Sequence, residues 1–199
     1  MRGKEVTIVT DPYSADLGMS MGKPSADIVT VSHKSANHSY TKGVAGDPRV
    51  IQGPGEYEVR HVLIAGVATS TQPRKGPLNT AYVLRFDELA VCHLGDVSSK
   101  LTNQQIEEIG SIDVLMVPVG GNTVLNASGA SQVIAQLEPT VIVPMHYPLQ
   151  GSQSKSTQTV EHFCREMGIK EWTAEPKLTV TRGSLGHEVR VIVLENKRI

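Results

Sequence analysis

Cysteine is scarce in this chain: Cys92 and Cys164 are the two among 199 residues. Two thiols cannot build a disulfide framework or a cysteine-rich zinc module. No charge of one sign prevails, since 19 Lys+Arg stand against 20 Asp+Glu for a formal net charge of −1. A basic excess that would attract nucleic acid is therefore missing, as is an acidic solvating tail. No apolar run approaches the roughly 18 residues expected of a membrane-spanning helix. The opening Met1-Arg2-Gly3-Lys4-Glu5-Val6 has no signal-peptide core. These absences predict a cytoplasmic protein with neither nucleic acid nor membrane as partner. What is present is a globular composition, 39% hydrophobic and 20% charged. At this length one domain, residues 1–199, can bury its own core.

Short apolar runs alternate with turn residues, and helical patterns come late. Residues 6–9 are a β-branched run ending at the turn pair Asp11-Pro12, and residues 27–32 are apolar enough for burial on both faces. Residues 52–57 read as a turn and 59–68 as the strand after it. Thr80–Phe86 and Leu89–His93 flank Asp87-Glu88 as a hairpin. Runs at 112–119, 140–145 and 189–194 complete the strands. One helix starts at Thr102, which can cap together with Gln105, and stops at Gly110. Two more are predicted over 128–137, with Pro139 beyond, and over 157–167, with Gly168 after it. Residues 69–78 and 149–156 read as polar loops. The order implies a mixed α/β domain, antiparallel strands first and strand–helix–strand units later.

Seven histidines occur, and several cluster at strand ends. His33 follows the buried run 27–32, with His38 five residues on. His93 closes a strand and precedes Leu94-Gly95-Asp96, and His146 closes the run 140–145. A lone histidine in such a place is usually a half-buried polar residue. Several of them beside Gly95-Asp96 point to a site, because imidazole and carboxylate suit Zn, Mn or Fe and loops at strand ends are held by a rigid sheet. His61, His162 and His187 read as surface residues, and the two cysteines as core. Lys34, Arg74 and Lys75 could face an anionic ligand but are more simply solvated.

Taken with Thr10-Asp11-Pro12-Tyr13, residues 26–33, Gly53-Pro54-Gly55-Glu56-Tyr57, His93-Leu94-Gly95-Asp96, residues 113–121 and Val143-Pro144-Met145-His146-Tyr147, the chain resembles the metallo-β-lactamase superfamily, in its short branch similar to ascorbate-6-phosphate lactonases. The resemblance implies a four-layer αββα sandwich whose two sheets come from the two halves of the chain. It places the site between the sheets at one end. Relatives begin with a further strand, which this sequence apparently lacks; that would leave an edge strand open to pairing with another subunit.

The resemblance also shows where the chain departs. The family's H-x-H-x-D-H loop reads His33-Lys34-Ser35-Ala36-Asn37-His38 here. Ser35 replaces an imidazole and Asn37 a carboxylate that holds a metal and takes a proton. The family's next histidine corresponds best to Thr71, and a further one after Gly-Asp is replaced by Ser98-Ser99. His38, Asp96 and His146 remain as a ligand set for one divalent ion, with His33 lining or assisting. The cofactor expectation is one ion, Zn or Mn, or none. Two functions follow: a weakly active or non-catalytic protein with a degenerate metal site, or a single-metal hydrolase of a small lactone, amide or phosphoester. A small-molecule ligand and a homo-oligomer are the partners expected.

Overall fold

The computed structural model describes residues 1–69, 78–149 and 156–196, and places two β-sheets face to face. The smaller has three strands, β1 (Ile8–Thr10), β2 (Ile28–Val31) and β3 (Arg49–Gln52), in that spatial order. Both pairings are parallel, so the expectation of antiparallel strands first is corrected. Parallel neighbours require a crossover. Here irregular chain supplies it, with short 3-10 turns at Ala15–Leu17 and Thr41–Gly43 in place of helices. All four residues of β2 are buried, as its unbroken apolar run predicts.

The larger sheet has seven strands. β4 (Gly55–Val59), β5 (Val62–Ala68), β6 (Thr80–Phe86) and β7 (Leu89–His93) form an antiparallel meander. β8 (Val114–Pro118), β9 (Val141–Met145) and β10 (Arg190–Val191) extend it in parallel beyond β7. The connections carry α1 (Asn103–Ile109), α2 (Ala127–Leu137) and α3 (Val160–Glu166). The sheets thus divide at Gly53-Pro54 and not midway along the chain, because β4 to β7 hydrogen-bond onward to β8.

Local chemistry sets most of these boundaries. Asp87 and Glu88 both take positive φ, 49° and 64°, the backbone that a tight two-residue hairpin needs. Arg60 and His61 do the same, at 49° and 61°. Residues 59–68 are therefore two strand ends around a turn, and His61 lies in that turn at the surface. Glu56 and Tyr57, read as turn, belong to β4. In α1, Thr102 Oγ1 accepts from the Gln105 amide at 3.2 Å and Gln105 Oε1 from the Thr102 amide at 2.9 Å, the reciprocal cap that the sequence predicts. Asn126 caps α2 by accepting from the Gly129 amide at 2.8 Å. The last strand is shorter than predicted, two residues plus an isolated bridge between Glu175 and Leu194.

All three helices pack on one face of the large sheet, where Ile109, Val133 and Phe163 meet Cys92, Leu115 and Ile142. The other face of that sheet sends Val62, Ile64, Tyr82 and Leu84 against Ile8, Ile28 and Ile51 of the small sheet. The result is the helix–sheet–sheet order of an α/β sandwich. The layer outside the small sheet is made by Met21, Ala26 and Val44 of the irregular crossovers. Tyr82 joins the sheets directly: its hydroxyl donates to the Val31 carbonyl at 3.0 Å and accepts from the Gly53 amide at 2.9 Å. Along the edge of β1, Met1 lies antiparallel to Ile8, which donates to the Met1 carbonyl at 2.9 Å. Among the described residues, no helix is long and apolar enough to cross a membrane.

Candidate metal centre

β1, β2, β7 and β9 bring their C-terminal ends together, and the residues just beyond those ends meet there. Asp11 follows β1, His33 follows β2, Asp96 follows β7 and His146 follows β9. The Asp96 carboxylate is the focus. His38 Nε2 lies 3.4 Å and His33 Nε2 3.8 Å from its Oδ2, and His146 Nε2 lies 3.4 Å from its Oδ1. The rings crowd one another: His33 and His38 have centroids 4.2 Å apart, and His38 and His146 stack at 6.1 Å. One ligand atom each from His33, His38 and Asp96 falls within 4.8 Å of the others. His146 is outside that group of three and reaches the same carboxylate from its other oxygen, so the four residues singled out from the sequence all converge on Asp96.

Tight backbone turns aim these groups. Gly95 has φ of 59°, and a Cβ there would collide with Asn79 Oδ1 and the Ser32 side chain. His146 also takes a left-handed φ of 58°. Its carbonyl sits against Gly120, where any Cβ would strike it, and accepts from Ser156 Oγ at 2.8 Å. The same Ser156 hydroxyl lies 3.2 Å from His146 Nδ1.

Two contributors carried no metal-site signal in the sequence. Asp11, read as a turn residue, accepts from the Ser32 amide at 2.7 Å, from Ser32 Oγ at 2.6 Å and from His38 Nδ1 at 2.8 Å. A carboxylate on Nδ1 fixes the ring orientation and leaves Nε2 to face Asp96. Asn79 is 6% exposed, and its Oδ1 accepts from the Asp96 amide at 2.9 Å. No local pattern marks it; it simply precedes an apolar strand.

The electrostatics follow from burial against pairing. Burial opposes ionisation of Asp96, but the neighbouring His146 and His38 imidazoles hold the carboxyl well below the usual range. Asp11 is also held low against the effect of burial, by the His38 bond and the nearby His93 and His38 charges. Burial works against a charged His38, yet Asp11 and Asp96 raise it to about 9. His33 is lowered, first by burial and then by His38. His93 is lowered by burial, and its Nδ1 has no hydrogen-bond partner among the described residues. It lies in β7 opposite Tyr82 and is outside the group of close ligand atoms.

Of the substituted positions, Ser35 is half-buried, its Oγ without a partner among the described residues, and Asn37 is exposed. Thr71, Arg74 and Lys75 lie outside the described residues. His61, His162 and His187 are exposed and apart from the site. Cys92 and Cys164 are buried, and burial pushes the Cys92 thiol up to about 12, which makes it packing and not a nucleophile.

The donor set fits a divalent cation. Asp96 Oδ1 is buried and makes no hydrogen bond among the described residues, although an imidazole nitrogen stands 3.4 Å away. A buried, ionised carboxylate oxygen without a donor is costly unless a cation shares the space. Three imidazoles and one carboxylate are a suitable set for a single Zn, Mn or Fe ion.

Comparisons with known proteins bear on the family and the fold. The family described as "Beta-lactamase superfamily domain" matches residues 1–146. A UPF0173 metal-dependent hydrolase of Natranaerobius thermophilus is 26% identical over 137 residues, 69% of this chain and 61% of that one. Another, from Methanoculleus marisnigri, is 28% identical over 167 residues, 71% of this chain and 73% of its own. The matches thus span 61% and 57% of the length of the first two curated relatives. Among solved structures, a Thermotoga maritima protein assigned as a Zn-dependent hydrolase of the metallo-β-lactamase superfamily superposes with a TM-score of 0.79. It is 34% identical, with 96% of this chain and 90% of that chain covered. Igni18, a metallo hydrolase of Ignicoccus hospitalis, shares the fold at a TM-score of 0.65 and 21% identity, covering 90% and 91% of the two chains.

Proposed function

Because the chain belongs to the metallo-β-lactamase superfamily, we propose that His38, Asp96 and His146, with His33 beside them, hold one divalent ion, Zn or Mn, in a reduced, hydrolase-type centre. The observation that carries this reading is the half-buried Asp96 carboxylate, ringed by three Nε2 atoms at 3.4–3.8 Å, with its buried Oδ1 lacking a hydrogen bond among the described residues. Bound there, such an ion would supply Lewis acidity, polarising a carbonyl or phosphoryl oxygen and making water a stronger nucleophile near neutral pH.

The chain's own groups support some steps of hydrolysis and not others. Asp11 holds His38 in the tautomer whose Nε2 can act as a ligand. Asp96 stays anionic across the physiological range. Asn37, at the position of the family's proton-accepting Asp, has an amide that cannot take a proton. Ser35 offers a short neutral hydroxyl where the family has an imidazole. These two substitutions favour weak or absent turnover over an efficient enzyme. A small lactone, amide or phosphoester is the substrate class that suits what remains. Action on nucleic acid or at a membrane has no support in charge or in an apolar span, and a cytoplasmic protein, alone or as a homo-oligomer, accords with this.

Elemental analysis of protein purified without added metal, followed by zinc titration, tests the proposal. The expected result is no more than one ion per chain, bound much more weakly in Asp96→Asn. Turnover of generic lactone and phosphodiester substrates should fall well below the roughly 1–10³ s⁻¹ of ordinary enzymes. The triple variant Ser35→His, Asn37→Asp, Thr71→His should move metal content toward two ions, with the single changes doing little. Two ions in the unaltered protein, or ordinary turnover, would overturn the reduced-site reading. No uptake at all would overturn the metal centre.

A further inference from the structure

We infer that Asn79 is a positioning residue that sets Asp96 against the His33–His38 loop, an inference that rests on the one-ion reading above. Asn79 stands one residue before β6 and is 6% exposed. Its side chain is fully used. Nδ2 donates to Thr69 Oγ1 at 2.6 Å and to the Leu94 carbonyl at 2.8 Å, and Oδ1 accepts from the Asp96 amide at 2.9 Å. It thus clasps both ends of the Leu94-Gly95-Asp96 turn that presents the carboxylate.

The turn cannot hold itself. Gly95 sits at φ of 59° and packs directly on Ser32 and Asn79, with no room for a Cβ. Past β7 the Leu94 amide donates to the Met116 carbonyl at 3.1 Å, and among the described residues Asn79 supplies the side-chain bonds that tie the turn to the rest of the fold. The next residue does the complementary work: the Thr80 amide donates to the Ser32 carbonyl at 2.9 Å. Ser32 directly precedes His33 and is bonded to Asp11, which orients His38. Asn79 and Thr80 are consecutive, so one dipeptide fixes the carboxylate from the large sheet and the histidine loop from the small sheet relative to each other. A shift of about 1 Å in such a constellation is enough to spoil a metal site.

Three variants test this by zinc competition titration and by thermal unfolding of the metal-free protein. Asn79→Ala should bind zinc 10–100-fold more weakly, the range for lost support of a ligand. Thr69→Val removes two bonds to Asn79, the one that Thr69 Oγ1 accepts from Nδ2 and the 3.3 Å one it donates to the Asn79 carbonyl, but leaves both contacts to the turn; it should lower the unfolding temperature yet keep zinc affinity within about twofold. In the Asp96→Asn background, adding Asn79→Ala should weaken zinc binding little further, because Asn79 acts through Asp96. Equal losses in Asn79→Ala and Thr69→Val, or additive losses in the double variant, would reduce Asn79 to a general structural residue. If the unaltered protein takes up no zinc, it is the one-ion reading that fails. The inference then stands or falls on the metal-free protein: the Asp96 amide should exchange with solvent faster, and the His38 ring resonances should shift, in Asn79→Ala and not in Thr69→Val. Unmoved signals would overturn it.

Discussion

The seven-stranded sheet is backed by three helices and the three-stranded sheet by irregular crossovers, and the candidate metal-centre residues are divided between them. Asp96 and His146 leave the ends of β7 and β9, central strands with apolar packing behind them. Their placement is mostly a matter of backbone: tight turns at Gly95 and at His146, and the close approach of Gly120. His33 and His38 leave β2 into a loop with no helix behind it. There, side-chain hydrogen bonds take over the role of packing. Asp11 alone accepts from the Ser32 amide, the Ser32 hydroxyl and His38. One sheet therefore positions its candidate ligands by burial and the other by a polar network, and the two modes should fail differently when altered.

The largest expected effect lies on the helical side. Phe163 is fully buried and packs in the core between helices and sheet. Phe163→Ala should cost about 3–5 kcal/mol, through lost burial and the cavity left behind. Urea unfolding measures this. At temperatures where the variant stays folded, zinc affinity should fall only modestly: Leu94, Val97 and Tyr147, beside Asp96 and His146, share that core, but the polar network around His38 lies outside it. A loss under about 1 kcal/mol would mean that the helices do not brace the large sheet as supposed.

A smaller loss of stability with a larger loss of binding is expected on the other side. Asp11→Ala strips three donors of their acceptor, each of them part-buried. The stability cost should be about 2–3 kcal/mol, the order expected for unsatisfied buried groups. Zinc affinity should fall about 10–100-fold as His38 loses its orientation. The contrast with Phe163→Ala is the measurement that matters. Should Asp11→Ala bind zinc normally, the loop would be held by something other than this network.

Which of these features the sequence revealed follows from how local their causes are. The Thr102–Gln105 cap and the Asp87-Glu88 hairpin depend on neighbours within four residues, and both were predicted. His33, His38, Asp96 and His146 were legible because their types and strand-end positions are chemically specific and because the motifs around them resemble a known family. The parallel pairing of β1 to β3 was not legible, since the crossover carries no helical pattern. Nor was the true division between sheets: Gly53-Pro54-Gly55 looks like a long turn, while Glu56 and Glu58 make β4 look polar because it is an edge strand. Asp11 and Asn79 escaped as site residues for a different reason. Their partners lie 17 to 27 residues away, and no spacing rule connects an aspartate before a proline, or an asparagine before a strand, to a histidine or a carboxylate so distant.

The smallest effect tests the seam where the two regions meet. Tyr82 is fully buried, and its hydroxyl bridges Val31 of the small sheet and Gly53 between the sheets. Tyr82→Phe leaves that carbonyl and that amide unpaired and should cost about 1–2 kcal/mol near neutral pH. Alkaline unfolding gives a second readout. Burial pushes the Tyr82 phenol up to about 12, whereas in the unfolded chain it ionises near 10. Between those values the unfolded chain binds fewer protons than the folded one, so stability falls as pH rises, by at most about 1.4 kcal/mol per unit. Below pH 10 the phenol is neutral in both states and contributes no slope. Tyr82→Phe should therefore be less stable than the unaltered protein at pH 8, with the gap narrowing as pH rises toward 12. A gap that stays constant over that range would show that Tyr82 ionises as freely in the fold as outside it, and that the seam is open to water.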